Sequence, residues 1–462
     1  MVRWAIDFKI AKVRGGEPAL VPLFPSVKGK GRTAGRWGWP VLVLALCHAQ
    51  AIASFQILNV LVDPIRASLR ISDTQYSLLQ GFAVAIFSAG LGIPAARWAD
   101  RHSRRNVILA GAVGWSLATA ACAFVGTFGG LFAARVAMGI GEVFLFPAAL
   151  ALIADLVPRS KLSTAIACFA VGGPLGGAAA MFGGGWVGAH SIGGMDGWRI
   201  AFFACGASGL VSAPLLLTIA ERRSVEAAQP SFAGVLAYIG ARWSLYLPVG
   251  GAMICLSVCA FASAAWVPTI LSRSYGLASS ASGGLPAIAS LAGGIGLVWP
   301  AGWLVDSLAS RGDRASPVTI GIGLCLTLLA LVGAASLLVS GGVAVAFWLC
   351  AYALLALPTL LGGTAFQMIT ASNLRAQVMA VYLLVMNLVA LSLGPLLVAL
   401  LTDRIFAKPE SVHYSLAIVD AAAALLGLMC FLVVRRRFAA EATAEAPFSS
   451  AAAEDLPPKR AS

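Results

Sequence analysis

Apolar residues in this chain fall in long unbroken runs separated by short polar loops, without the two-residue alternation of half-buried strands. A bilayer-spanning helix needs about 20 mainly apolar residues. Twelve runs meet that length, at 39–62, 74–97, 106–127, 130–156, 163–188, 199–219, 246–271, 281–305, 317–339, 342–369, 377–401 and 413–434. In lipid the backbone must satisfy its own hydrogen bonds, which leaves helices or a closed barrel. Barrel strands read as alternating segments of roughly ten residues, and these runs do not. The predicted fold is all-α and integral to a membrane: twelve transmembrane helices in two six-helix bundles.

The break between the bundles is the longest stretch between spans, giving a central linker at 220–245, an N-terminal bundle at 39–219 and a C-terminal bundle at 246–434. A basic tail at 1–38 precedes them, and a tail at 435–462 rich in Ala, Glu, Ser and Pro reads as disordered. The basic tail lacks an apolar core followed by a small-residue cleavage site, so no cleaved signal peptide is expected. A weak repeat relates the halves. Asp100 follows span 2 with Arg101, Arg104 and Arg105 beyond it, and 206 residues later Asp306 follows span 8 with Arg311 beyond it. Parallel repeats of this kind place a transporter's site at the midplane between halves.

Composition agrees with lipid as solvent: 59% hydrophobic and 11% charged in 462 residues, against roughly 25% charged in soluble domains. The net charge of +13 is an orientation signal, because 25 of the 32 Lys and Arg lie on the side that holds both termini and six on the other. The positive-inside rule puts that side, with both termini, in the cytoplasm of a cell membrane. No basic stripe interleaved with stacking aromatics suggests nucleic acid. The nine cysteines fall nearly all in apolar runs, none as CxxC, and four histidines offer no zinc spacing. Neither a metal nor a cofactor is expected.

Ionisable groups inside spans are costly and mark functional sites. Arg135 and Glu142 in span 4 stand two helical turns apart on one face, about 10 Å along the axis. Arg135 is the candidate for anion recognition and Glu142 for proton carriage. Span 1 adds Gln50, Ser54, Phe55 and Gln56 to the expected cavity, while His48 reads as a locally hydrogen-bonded histidine. Asp420 in span 12 reads as solvated or locally bonded, and Asp155 at the end of span 4 as able to reach water. Gly173, Pro174, Gly176 and Gly177 in span 5 allow close helix approach or a moving gate. Asp100, Arg101, Arg104, Arg105, Asp306 and Arg311 form a candidate cytoplasmic latch.

The run Gly92-Ile-Pro-Ala-Ala-Arg-Trp-Ala-Asp100-Arg101-His-Ser-Arg104-Arg105 resembles the loop 2–3 signature of the major facilitator superfamily, with Ala96 where the pattern has glycine. Its second-half copy, Gly302-Trp-Leu-Val-Asp306, keeps the glycine. Arg135-Val-Ala-Met-Gly139 is similar to that superfamily's span 4 motif, and Gly173-Pro174-Leu-Gly176-Gly177 to its antiporter motif, one residue short. Within it, Arg135-Val-Ala-Met-Gly-Ile-Gly141-Glu142 with Pro147 and Asp155, Ser72-Asp73-Thr74-Gln75 with Gly81, and Asn373-Leu-Arg375 with Asn387 and Gly394-Pro395 resemble the Spinster-like branch. The resemblance implies a monomeric carrier of lysophospholipids or other amphiphilic anions, coupled to protons, with Arg135 and Glu142 as its head-group and proton residues. Ser54-Phe55 stands where that branch carries an Asp-Arg pair.

A secondary transporter is therefore the expected function, for a small amphiphilic or organic anion. An uncoupled facilitator of a small organic solute and a non-transporting receptor of the same fold are the alternatives. A membrane enzyme would need paired carboxylates, His-rich boxes or metal ligands at the interface, and an ATP-driven pump a GxxxxGK[ST] loop. The sequence has neither.

Overall fold

The computed structural model describes residues 10–11, 19–20, 37–85, 103–142, 145–158, 161–191, 193–220, 232–337, 341–371 and 374–454. Met1–Trp37 and Gly38–Ser462 are separate units. In the first, the described pieces are two antiparallel two-residue strands, with Ile10 opposite Leu20 and Ala11 opposite Ala19.

The second unit is helical. Ten of its helices are long and apolar enough to cross a bilayer: Gly38–Val60, Arg104–Phe124, Thr164–Gly188, Gly197–Thr218, Trp243–Arg273, Ser279–Ser310, Ser316–Leu337, Gly342–Ile369, Gln377–Phe406 and Pro409–Thr443. These are spans 1, 3 and 5 to 12. Spans 2 and 4 begin as helices at Asp73 and Phe128 and are interrupted by residues outside the description, which is consistent with twelve.

Neighbour relations repeat between the halves. Span 1 packs along spans 5 and 6, as span 7 packs along spans 11 and 12; span 3 packs on spans 4 and 6, as span 9 packs on spans 10 and 12. The halves meet along span 5 against span 8 and span 2 against span 11.

Three spans contain π-helical segments: Leu78–Phe82 in span 2, Ala292–Leu297 in span 8, and Asn387–Leu391 and Leu401–Phe406 in span 11. All three lie at the junction of the halves. Span 10 breaks after Leu354 and resumes at Leu357 with Pro358 in its first turn, where a proline's missing N–H and fixed φ are tolerated.

Two stretches differ from the sequence reading. The linker contains a helix, Phe232–Ala241, whose Val235 is buried. The final helix continues to Glu454, where a disordered tail was expected. Ala and Glu favour helix once a span has nucleated it, so a composition that cannot build a core can still extend one.

Candidate functional site

Between the halves lies a cavity of about 220 Å³, walled by Phe55, Gln56 and Asn59 of span 1, Ser257 and Phe261 of span 7, Tyr352 and Thr359 of span 10 and Met386 of span 11. The span 10 break is part of the wall, through Leu355, Ala356 and Pro358. The lining mixes aromatic and aliphatic surface with neutral amides and hydroxyls, and carries no charged side chain among the described residues.

The predicted cavity residues separate into three groups. Phe55 and Gln56 line the cavity. Gln50 and Ser54 face span 6 instead: Gln50 Nε2 donates to the Cys205 carbonyl at 2.6 Å, Ser208 Oγ donates to Gln50 Oε1 at 3.2 Å, and Ser54 Oγ lies 3.6 Å from Cys205 Sγ. Their common face, read from the four-residue spacing, is real but binds a neighbour in the same half.

Arg135 and Glu142 form the third group. Arg135 is fully buried one layer behind Phe55, its guanidinium 5.5 Å from that ring's centroid. It donates from Nε to the Leu79 carbonyl at 3.2 Å, from Nη1 to the Ser54 carbonyl at 3.2 Å and from Nη2 to the Phe55 carbonyl at 3.5 Å. One cation thus ties spans 1, 2 and 4. No carboxylate lies within ion-pair distance of it among the described residues, and Glu142, half-buried, makes no hydrogen bond or ion pair among them. Arg135→Lys keeps the charge but loses the planar fork. Hydrogen bonds from charged donors are worth about 1.5–3 kcal/mol each, so this variant is expected to unfold several degrees lower in detergent, read by a thermal melt.

His48 is hydrogen-bonded, as expected, with Nδ1 3.1 Å from the Phe169 carbonyl and its ring stacked on Phe169. Asp420 Oδ2 accepts from Ser263 Oγ at 3.0 Å, deep between spans 7 and 12, the local bonding expected of it. Around span 5, Gly176 lies on the Ala49 backbone, Gly177 on the Gln56 amide, Gly173 on the His48 ring and Pro174 on Gly294 of span 8. Pro174 sits within an unbroken helix.

Of the candidate cytoplasmic latch, Asp100 and Arg101 lie outside the described residues. Arg104 pairs with Asp155 at the end of span 4, and Arg105 Nη1 donates to the Ile219 carbonyl at 3.1 Å, both within the N-terminal half. Asp306 and Arg311 are exposed and make no ion pair among the described residues.

The opposite mouth, which the charge count assigns to the outside, is closed by contacts that sequence reasoning missed. Arg273 at the end of span 7 reaches Asp73 at the start of span 2 through two parallel bonds, Nη1 to Oδ2 at 2.8 Å and Nη2 to Oδ1 at 3.0 Å. Its Nε donates to Asp63 Oδ1 at 2.8 Å, and Arg66 Nε lies 3.0 Å from Asp73 Oδ1. Beside this cluster, Asp403 of span 11 accepts from the Thr74 N–H at 2.7 Å and the Thr74 hydroxyl at 2.6 Å. Ser72 and Gln75 cap the same helix start reciprocally. Asp73 and Arg273 are 0% and 8% exposed, so the pairing is largely dry and fastens one half to the other.

Two helical halves around a cavity shut at one mouth are the architecture of a membrane transporter. The model of the Major Facilitator Superfamily matches residues 44–395. The chain belongs to that superfamily. It is 29% identical over 424 residues to an MFS-type efflux pump of Mycolicibacterium smegmatis, covering 90% of this chain and 96% of that protein. It is 27% identical over 246 residues to the tetracenomycin C resistance and export protein of Streptomyces glaucescens, covering 50% of this chain and 41% of that one. Its fold is similar to the inward-facing, unoccupied structure of a bacterial homologue of the human lysosomal transporter Spinster, with a TM-score of 0.72 and 23% identity over 89% of this chain and 97% of that one.

Proposed function

We propose that the protein exports a small amphiphilic organic anion across the cell membrane, as a monomer with both termini cytoplasmic, in exchange for protons. The observation that carries this reading is Arg135: a buried cation without a carboxylate partner among the described residues, one layer behind a cavity wall of mixed aromatic and neutral polar groups. Such a wall suits an amphiphile's apolar body, while the positive field behind Phe55 favours a negative head group without contact. An efflux pump as relative along nearly the whole chain supports the direction of transport.

Glu142 is the proposed proton carrier, since a carboxyl without a fixed partner among the described residues can exchange its proton as access alternates. Asp306 and Arg311, which make no ion pair among the described residues, are the proposed second-half contribution to a cytoplasmic latch formed when the outer mouth opens. Ser54-Phe55 in place of an Asp-Arg pair favours a second reading, an uncoupled facilitator. Reconstituted vesicles separate the two. Glu142→Gln is expected to abolish accumulation driven by a pH gradient while sparing counterflow exchange. Unchanged gradient-driven accumulation would remove Glu142 from coupling, and wild-type transport indifferent to the gradient would establish the facilitator.

A further inference from the structure

On the basic side of the C-terminal half, the loop after span 8 and the extension of span 12 enclose a groove of about 460 Å³, away from the transport cavity. It is lined by Asp313, Arg314, Ala315, Arg435, Arg436 and Thr443, among others. Three arginines line this space with one acidic residue, Asp313. That carboxylate is already used at the start of span 9: Asp313 Oδ1 accepts from the Ala315 N–H at 3.0 Å and Oδ2 from the Thr319 hydroxyl at 2.6 Å. Arg435 reaches Asp313 only at 3.9 Å and its side chain is 51% exposed. Among the described residues, the charge of the groove is therefore not neutralised by the protein.

Its depth fits a membrane surface. Arg435 directly follows the apolar turn Phe431–Val434 of span 12, and Trp299 and Trp303, one turn apart near the end of span 8, are 82% and 69% exposed. Tryptophans so placed mark the head-group level of a bilayer. Guanidinium groups bind phosphate oxygens in pairs of parallel hydrogen bonds, and basic pockets at the ends of transmembrane helices hold anionic head groups. We propose that this groove binds the phosphate of an anionic phospholipid, such as phosphatidylglycerol, from the adjoining leaflet.

The test is native mass spectrometry of the delipidated full-length protein with added phosphatidylglycerol or phosphatidylcholine of identical acyl chains. Phosphatidylglycerol is expected to be retained about tenfold more. That preference should disappear in the double variant Arg435→Gln/Arg436→Gln, and in Ala440→Glu, which leaves every arginine in place and sets a carboxylate in the groove wall. Thermal melts identify a variant that fails to fold, and Ala440→Glu then decides alone. Equal retention of the two lipids, or an undiminished preference in a folded variant, overturns the proposal. Displacement of phosphatidylglycerol by an equal concentration of glycerol phosphate would assign the groove to a soluble anion and overturn it as well.

Discussion

Arg273→Gln is expected to open the outer mouth and stop the transport cycle there. Arg273 holds Asp73 through two parallel bonds and Asp63 through Nε, and all three groups lie where span 7 meets the start of span 2. Removing the cation leaves Asp73, 0% exposed, with Arg66 alone as its counter-charge. Breaking a buried pair by deleting one partner costs about 3–5 kcal/mol. Here that cost falls only on the conformation in which the halves touch. Inverting a two-state population from 1:99 to 99:1 takes about 5.5 kcal/mol, so the variant shifts the balance by roughly two to four powers of ten. Hydrogen exchange is the direct readout. Backbone amides of residues 62–76 and 270–278 should exchange faster, while vesicle transport falls at least about tenfold. Wild-type exchange rates in the variant would show that the pairing does not hold the mouth shut.

A second pair of variants separates packing within a half from packing between halves. A Cβ added at Gly176 would stand 1.9 Å from the Ala49 carbonyl oxygen, and one added at Gly81 would stand 1.9 Å from the Leu391 carbonyl oxygen. The steric conflict is the same and the expected outcome is not. Gly176 joins spans 5 and 1 inside one half, a contact retained when the halves move as units. Gly176→Ala therefore has no conformation in which to relax, and overpacking of this kind costs about 1–3 kcal/mol. Gly81 joins span 2 to span 11 across the halves, so Gly81→Ala is relieved by opening the outer mouth. Thermal melts and hydrogen exchange together distinguish them. Gly176→Ala should lower the melting temperature with unchanged exchange at the outer mouth, and Gly81→Ala should do the reverse. An equal fall in melting temperature for both would mean that the halves do not separate at span 2.

The spans were legible because lipid imposes a single demand, about twenty apolar residues without interruption, that needs no knowledge of neighbours. Arg135 was legible for the same reason, as a charge where lipid allows few. Which way a polar face points was not. Gln50 and Ser54 share a face in any helix, but only the packing of span 6 on span 1 decides that the face meets Cys205. The surroundings of Arg135 were illegible likewise, since only the packing of spans 1 and 2 on span 4 decides that its guanidinium meets the carbonyls of Leu79 and Ser54. The outer closure was illegible because its partners, Asp73 and Arg273, stand 200 residues apart and each reads alone as an ordinary loop charge. The helix beyond residue 435 was missed because Ala- and Glu-rich composition fits both a free chain and the continuation of an existing helix.

The π segment Leu78–Phe82 also constrains the winding of span 2. A π turn accommodates one residue more than the α turn it replaces. Each residue of an α-helix adds about 100° of rotation. Rewinding this segment as regular α-helix with its residue count unchanged would leave the apolar character of the span intact. It would also turn the start of the span by roughly a quarter of a circle relative to its remainder, carrying Asp73 and Thr74 away from Arg273 and Asp403. Substitutions that preserve hydrophobicity can be accepted along this helix, but one that straightens the π turn acts like a slipped gear tooth and leaves the closing groups out of mesh.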